Sequence, residues 1–150
     1  MPLFTGRFEY SVDDKGRLSI PARLREQVEQ EGQDCNFIIT CLNSAYLSIY
    51  APPEFQNLID AISQSTDSHA REALRLTTSG AETCPLDKQG RVMLPPALRR
   101  SAGIGRDVVI LGVAKRIEVW DRAREAAHRS EVSEGGARLL AGLRVPSDLI

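Results

Sequence analysis

Two short stretches of the chain alternate apolar and polar residues with a period of two. Leu18 and Ile20 stand against Arg17 and Ser19, and Val92 and Leu94 stand against Arg91 and Met93. Such alternation puts one set of side chains on each face of a half-buried strand. A second extended stretch precedes each one, residues 7–12 and 82–86, with aromatic or apolar residues interleaved among polar ones. Between the members of each pair, residues 13–16 and 87–90 supply turn chemistry: the Asp accepts local backbone N–H groups and the Gly permits positive φ. Each pair therefore predicts a β-hairpin. Pro21 and Pro95 then stop the strands, and the fixed φ of proline suits the first turn of a helix. Leu24 and Val28 lie four apart, as do Leu98 and Ala102. That spacing gives each short helix one apolar stripe and directs Arg25, Arg99 and Arg100 elsewhere. Gly32 and either Gly103 or Gly105 are the stop signals. The compact β runs 37–39 and 108–111 follow, and residues 46–50 and 117–120 are the last strands of the two series.

The two series are copies of one unit. Asp13-Asp14-Lys15-Gly16-Arg17-Leu18-Ser19-Ile20-Pro21 returns as Asp87-Lys88-Gln89-Gly90-Arg91-Val92-Met93-Leu94-Pro95 at a constant offset of 74. Leu47-Ser48-Ile49-Tyr50 returns as Ile117-Glu118-Val119-Trp120 at an offset of 70, so the first copy carries about four extra residues in its middle connection. The chain divides into a first repeat at 7–54, connecting helices at 55–80, a second repeat at 81–124 and a helical tail at 125–150. In the connection, Pro52-Pro53 opens a helix with Phe55, Leu58, Ile59 and Ile62 at helical spacing, residues 63–68 are a polar break, and residues 69–76 resume as a helix with Ala70, Ala73, Leu74 and Thr77 on one side. In the tail, Asp121 is a good N-cap for a helix at 122–129. Gly135-Gly136 breaks the chain, and Leu139, Leu140 and Leu143 form a brief apolar patch able to dock on a neighbour. The predicted class is mainly β with short helices, α+β.

Composition narrows the function. No apolar run approaches the roughly 20 residues of a membrane span, and the N-terminus lacks the regions of a signal peptide, so a cytoplasmic protein is expected. Cys35, Cys41 and Cys84 are an odd number without a C-x-x-C pair and read as small buried apolar residues, not a disulfide framework or a zinc site. Neither a metal nor a cofactor is called for. The net charge of −1 argues against non-specific coating of nucleic acid, which leans on excess Lys and Arg. The distribution is uneven: residues 1–54 hold five basic and eight acidic side chains, whereas residues 81–124 hold nine basic and five acidic. Nucleic-acid contact must then come from local clusters. His69 and His128 fall in predicted helices without a Ser or Cys partner, so they read as solvated helix residues and the chain as a non-enzyme. Tyr50 and Trp120 end corresponding strands and read as core or repeat-interface aromatics, with a stacking platform for single strands as the alternative.

The duplicated loop phrase, its Pro-helix context and the intervening Ser79-Gly80-Ala81-Glu82-Thr83-Cys84 resemble the MraZ family, over roughly residues 4–124. A lone Asp-x-x-x-Arg would carry no such weight, since in one hairpin it is more often an ordinary surface ion pair. The resemblance implies an SpoVT/AbrB-like fold in which tandem repeats form a swapped-hairpin β-barrel with helices outside. It also implies a transcription regulator associated with the nucleoid. Such a protein binds short direct repeats of double-stranded DNA, in the promoter of its own division and cell-wall gene cluster, as a ring-shaped homo-oligomer. The loop positions that match the family's DNA-contact motif are Asp13, Lys15 and Arg17, and Asp87, Lys88 and Arg91. The loops differ in one respect: Lys15 directly precedes Gly16, whereas Gln89 precedes Gly90 and Lys88 stands one place earlier. An Arg at the edge of a two-stranded ribbon can enter the major groove and bind guanine O6 and N7 in bidentate fashion. The Asp four residues earlier is suited to orient it, and the lysines to phosphates. An AbrB-like antitoxin and a scaffold that binds only protein are the competing expectations.

Overall fold

Periodicity decides which face of a strand is buried but not which strand lies beside it, and here that choice departs from the local expectation. The computed structural model describes residues 3–29, 36–132, 135–144, 146 and 148, so the expectations for Gly32 and Cys35 lie outside the described residues. The first copy comprises β1 (Arg7–Ser11), β2 (Arg17–Ser19), α1 (Ala22–Glu29), β3 (Asn36–Thr40) and β4 (Leu47–Tyr50). Helices α2 (Pro52–Gln64) and α3 (Ala70–Ser79) connect it to β5 (Glu82–Pro85), β6 (Arg91–Met93), α4 (Pro96–Ser101), β7 (Asp107–Val113) and β8 (Arg116–Asp121). Two further helices follow, α5 (Arg122–Val132) and α6 (Gly136–Ala141). The class is mixed α+β with antiparallel sheets, as the patterning predicts.

The two predicted hairpins do not pair within themselves. β1 pairs with β7 of the second copy, from Arg7 opposite Leu111 to Ser11 opposite Asp107, and β5 reciprocally pairs with β3 of the first. β2 pairs with β6, Leu18 opposite Val92. All that remains of each local hairpin is its turn, closed by Asp13 N–H to Arg17 O at 2.9 Å and by Asp87 N–H to Arg91 O at 2.8 Å. Each chain segment thus leaves one sheet for another at the Asp turn. Nor do the strands close into a barrel. The larger sheet runs β1-β7-β8-β4-β3-β5, with β1 and β5 at its edges, and β2–β6 is a separate two-stranded ribbon. The exchange consumes β2 and β6 on each other, so neither is available to join the edges.

The repeat offsets reappear in the pairing. Leu18 and Val92 are counterparts at the offset of 74, and Ser48 and Glu118, opposite each other in the β4–β8 pair, are counterparts at 70. An approximate two-fold axis therefore passes through both contacts. Ile20 N–H donates to Gly90 O and Leu94 N–H to Gly16 O, both at 2.9 Å, which ties each loop to the opposite copy's strand.

Both copies bury their apolar positions in one core. Leu18 and Val92 of the ribbon, Ile20 and Leu94 just after its strands, Leu24 and Val28 of α1, and Leu98 and Ala102 of α4 and its C-cap form one cluster with Ile39, Ile49, Ile110 and Val119 of the larger sheet. The helical stripes read from the spacing are the buried ones. The sheet's other face is covered by α2 against β3 and β4 and by α5 against β7 and β8, with α3 on α2. The buried Glu125 of α5 accepts Arg7 Nη2 of β1 at 3.2 Å, a contact between residues 118 apart. Asp121 ends β8 immediately before α5, and its Oδ1 accepts Gly105 N–H at 3.1 Å. α3 begins after His69 and extends to Ser79, beyond the expected residue 76. In the tail, Leu139, Leu140 and Leu143 are exposed. Among the described residues no helix is long and apolar enough to cross a membrane.

Candidate nucleic-acid interface

The β2–β6 ribbon buries residues 18 and 92, so residues 17, 19, 91 and 93 face outward. Arg17 lies opposite Met93, and Arg91 opposite Ser19. The two arginines are diagonal neighbours across the axis, with backbones roughly 7–8 Å apart by the geometry of antiparallel pairs. Two cations on one narrow antiparallel ribbon match the width and the acceptors of a major groove.

The loops that hold them are built alike, bond for bond. Asp13 Oδ1 accepts the N–H groups of Lys15 and Arg17, both at 2.9 Å, and Oδ2 accepts Arg17 Nε at 2.7 Å. Asp87 Oδ1 accepts Gln89 and Arg91 N–H, and Oδ2 accepts Arg91 Nε, all at 2.9 Å. One carboxylate therefore both shapes the turn and fixes the guanidinium. The cause lies in the local chain: an Asp at the turn's first position reaches the amides two and four residues on, and Gly16 and Gly90, at φ of 81° and 78°, complete the reversal. The Arg17 N–H holds the Asp13 carboxyl below the usual carboxylate range; burial opposes it, and the Arg17 guanidinium and Lys15 N–H add to the lowering. Asp87 is lowered in the same way, first by Arg91 N–H. Both carboxylates are thus ionised at neutral pH. Only Nε of each guanidinium is committed to the Asp. Among the described residues the terminal Nη groups of Arg17 and Arg91 make no hydrogen bond, which leaves the fork that a guanine edge would take.

The site residues expected from the sequence therefore come together on one face. Asp13, Arg17, Asp87 and Arg91 form two equivalent pairs, and the side chains of Lys15 and Lys88 are exposed on the loops beside them. The lysines are not equivalent, as their unequal places in the loop foretell. Sequence reasoning missed Arg25 and Arg99, which the structure puts beside the loops of the opposite copy. A Cβ built on Gly90 would stand 2.7 Å from Arg25 Cζ, and one on Gly16 would stand 3.9 Å from Arg99 Nη1. Their signal was present: they are counterparts at the offset of 74.

The other candidates lie elsewhere. Trp120 is buried between Tyr46 and His128, with ring centroids 4.7 and 4.9 Å away, and its Nε1 donates to Glu118. Tyr50 packs on Phe55 at 5.7 Å. Neither ring has a free face to stack a base, so the core reading of these aromatics holds. His69 is exposed at the start of α3, and the exposed His128 lies on Trp120. Cys84 is buried, and desolvation pushes its thiol up to about 11; Cys41 is half-buried against the core.

Comparison with known proteins bears on the whole chain. A family model described as "MraZ protein, putative antitoxin-like" matches it twice, over residues 3–76 and 77–134. The transcriptional regulator MraZ of Limosilactobacillus fermentum is 39% identical over 142 residues, covering 93% of this chain and 96% of the relative. That of Symbiobacterium thermophilum is 41% identical over 135 residues, covering 86% and 91%. That of Treponema pallidum is 34% identical over 149 residues, covering 97% and 95%. The duplicated loop, the interleaved copies and these full-length likenesses agree, and the chain belongs to the MraZ family.

Proposed function

We propose that the protein is a sequence-specific regulator of transcription that binds double-stranded DNA through its two Asp-x-x-x-Arg loops. One observation carries the reading: two arginines on the outward face of a two-stranded ribbon, each fixed through Nε by its own Asp, with both terminal nitrogens left for a ligand. A guanidinium held this way loses little freedom on binding, and its fork is complementary to guanine O6 and N7. In this reading Arg17 and Arg91 read bases, Asp13 and Asp87 position them, and Lys15 and Lys88 meet phosphates. The relatives named as transcriptional regulators support the role.

The net charge of −1 adds a requirement. A single small cationic face neutralises few phosphates, so useful affinity calls for several protomers bound to several short direct repeats. A ring-shaped homo-oligomer on the promoter of its own gene cluster meets that requirement, and places the protein in the cytoplasm at the nucleoid.

The test is fluorescence anisotropy with the duplex upstream of the protein's own gene against an unrelated duplex of equal length. Preferential binding of the first, weakened as salt rises, is expected. Absent binding of both would leave the protein-only scaffold as the better account, and equal binding of both would remove the sequence specificity.

A further inference from the structure

The approximate two-fold symmetry of the ribbon fails at one outward pair. Ser19 and Met93 are counterparts at the offset of 74. Arg17 therefore has a thioether opposite it, and Arg91 a hydroxyl. Met93 is 49% exposed, an apolar side chain in water among the polar and charged residues of the ribbon's outward face, where the hydrophobic effect opposes it.

The flanks fail in the same direction. Arg25 lies over the Gly90 loop and donates from Nε to Ile20 O at 2.9 Å. Its counterpart Arg99 stands farther from the Gly16 loop, 3.9 Å from a Cβ built there, and donates to the carbonyls of Ile104 at 3.4 Å and Gly105 at 2.9 Å. What a Cβ on Gly16 would meet first is Met93 Sδ, at 3.5 Å. The result, beside the first loop, is a groove of about 410 Å³ that Met93 and Leu94 line, with Asp14, Lys15, Arg99 and Arg100 as its charged borders.

We infer that this groove reads a thymine: Met93 contacts its C5-methyl next to the base that Arg17 binds, while Lys15 and Arg100 hold the flanking phosphates. The thymine methyl is the one apolar group that base pairs present in the major groove, and a flexible, polarisable thioether adapts to it. Ser19 offers no such contact, so a nearly two-fold protein recognises an element with a direction. The inference rests on the DNA-binding reading above.

Selection from a randomised duplex pool, followed by titration of the selected duplex with deoxyuridine in place of its thymine, tests it. The wild type is expected to enrich a thymine beside a guanine, and loss of the one methyl should weaken binding about fourfold. Met93→Ser should keep the guanine, lose the thymine and bind both duplexes equally, whereas Met93→Leu should behave as the wild type. A guanine-selecting wild type that is indifferent to the methyl overturns the inference alone, as does Met93→Ser with an undiminished methyl preference. A wild type that enriches no sequence removes the DNA-binding reading itself, and the inference with it.

Discussion

Truncation of Arg17 is the sharpest probe of the interface. Its Nε sits 2.7 Å from Asp13 Oδ2, and its terminal nitrogens are those that would meet a base. A bidentate contact to guanine discriminates by about 1–3 kcal/mol, so Arg17→Ala should lose roughly 5- to 150-fold in specific affinity. The loss does not end there. Asp13 keeps the Lys15 and Arg17 amides at 2.9 Å, so it stays ionised and now faces the DNA without its cation. A like charge some 8 Å from a phosphate in water adds about another twofold, which Asp13→Ala in the same chain should return. Arg17→Lys keeps the charge but not the fork, and should retain non-specific binding while losing discrimination. The fold should survive, because the side chain is 29% exposed and a surface ion pair adds little. Anisotropy with the specific and the unrelated duplex, beside circular dichroism, gives both readouts. A folded Arg17→Ala protein with an unchanged ratio of specific to non-specific affinity would refute the reasoning.

Three further outcomes follow from the same geometry. Leu18, fully buried at the two-fold contact of both copies, should cost about 2–5 kcal/mol when truncated to Ala; because the core is shared, calorimetry should show one transition lowered by roughly 4–20 °C, and two separate transitions would contradict the shared core. Asp13 and Asp87 have folded-state values below the usual carboxylate range, so their stabilising contribution is complete above ~3.9 and disappears only as pH falls through the lower folded values. Carboxyl-carbon NMR titration checks this, and a midpoint at or above ~3.9 would be wrong for these loops. For assembly, light scattering should give an oligomer, and affinity should rise steeply from one to two to four correctly spaced repeats, by roughly 10²- to 10⁴-fold overall; a monomer, or equal affinity for all three duplexes, excludes the ring.

Much of the interface is legible in the sequence, because it is made of short-range chemistry. The Asp13 and Asp87 carboxylates reach amides only two and four residues away, Gly16 and Gly90 supply the positive φ, and alternation assigns residues 18 and 92 inward and residues 17 and 91 outward. The stripes of Leu24 with Val28 and Leu98 with Ala102 need only helical spacing. Duplication at a fixed offset then marks the pairs that a two-fold axis would relate.

What only the tertiary structure decided is who pairs with whom. A strand's backbone donors and acceptors are the same whatever its side chains, so alternation selects a face but not a neighbour. The Asp turns are compatible with local hairpins, yet β1 lies on β7 and β5 on β3, because the exchange lets both copies bury their apolar faces in one core. The same non-local choice brings Arg25 to Gly90, and sets Met93 opposite Arg17 beside the first loop, contacts between residues more than sixty positions apart. The sequence alone determined which side chains could form each loop; the pairing of the two copies determined that both loops share one face and that the face is not symmetric.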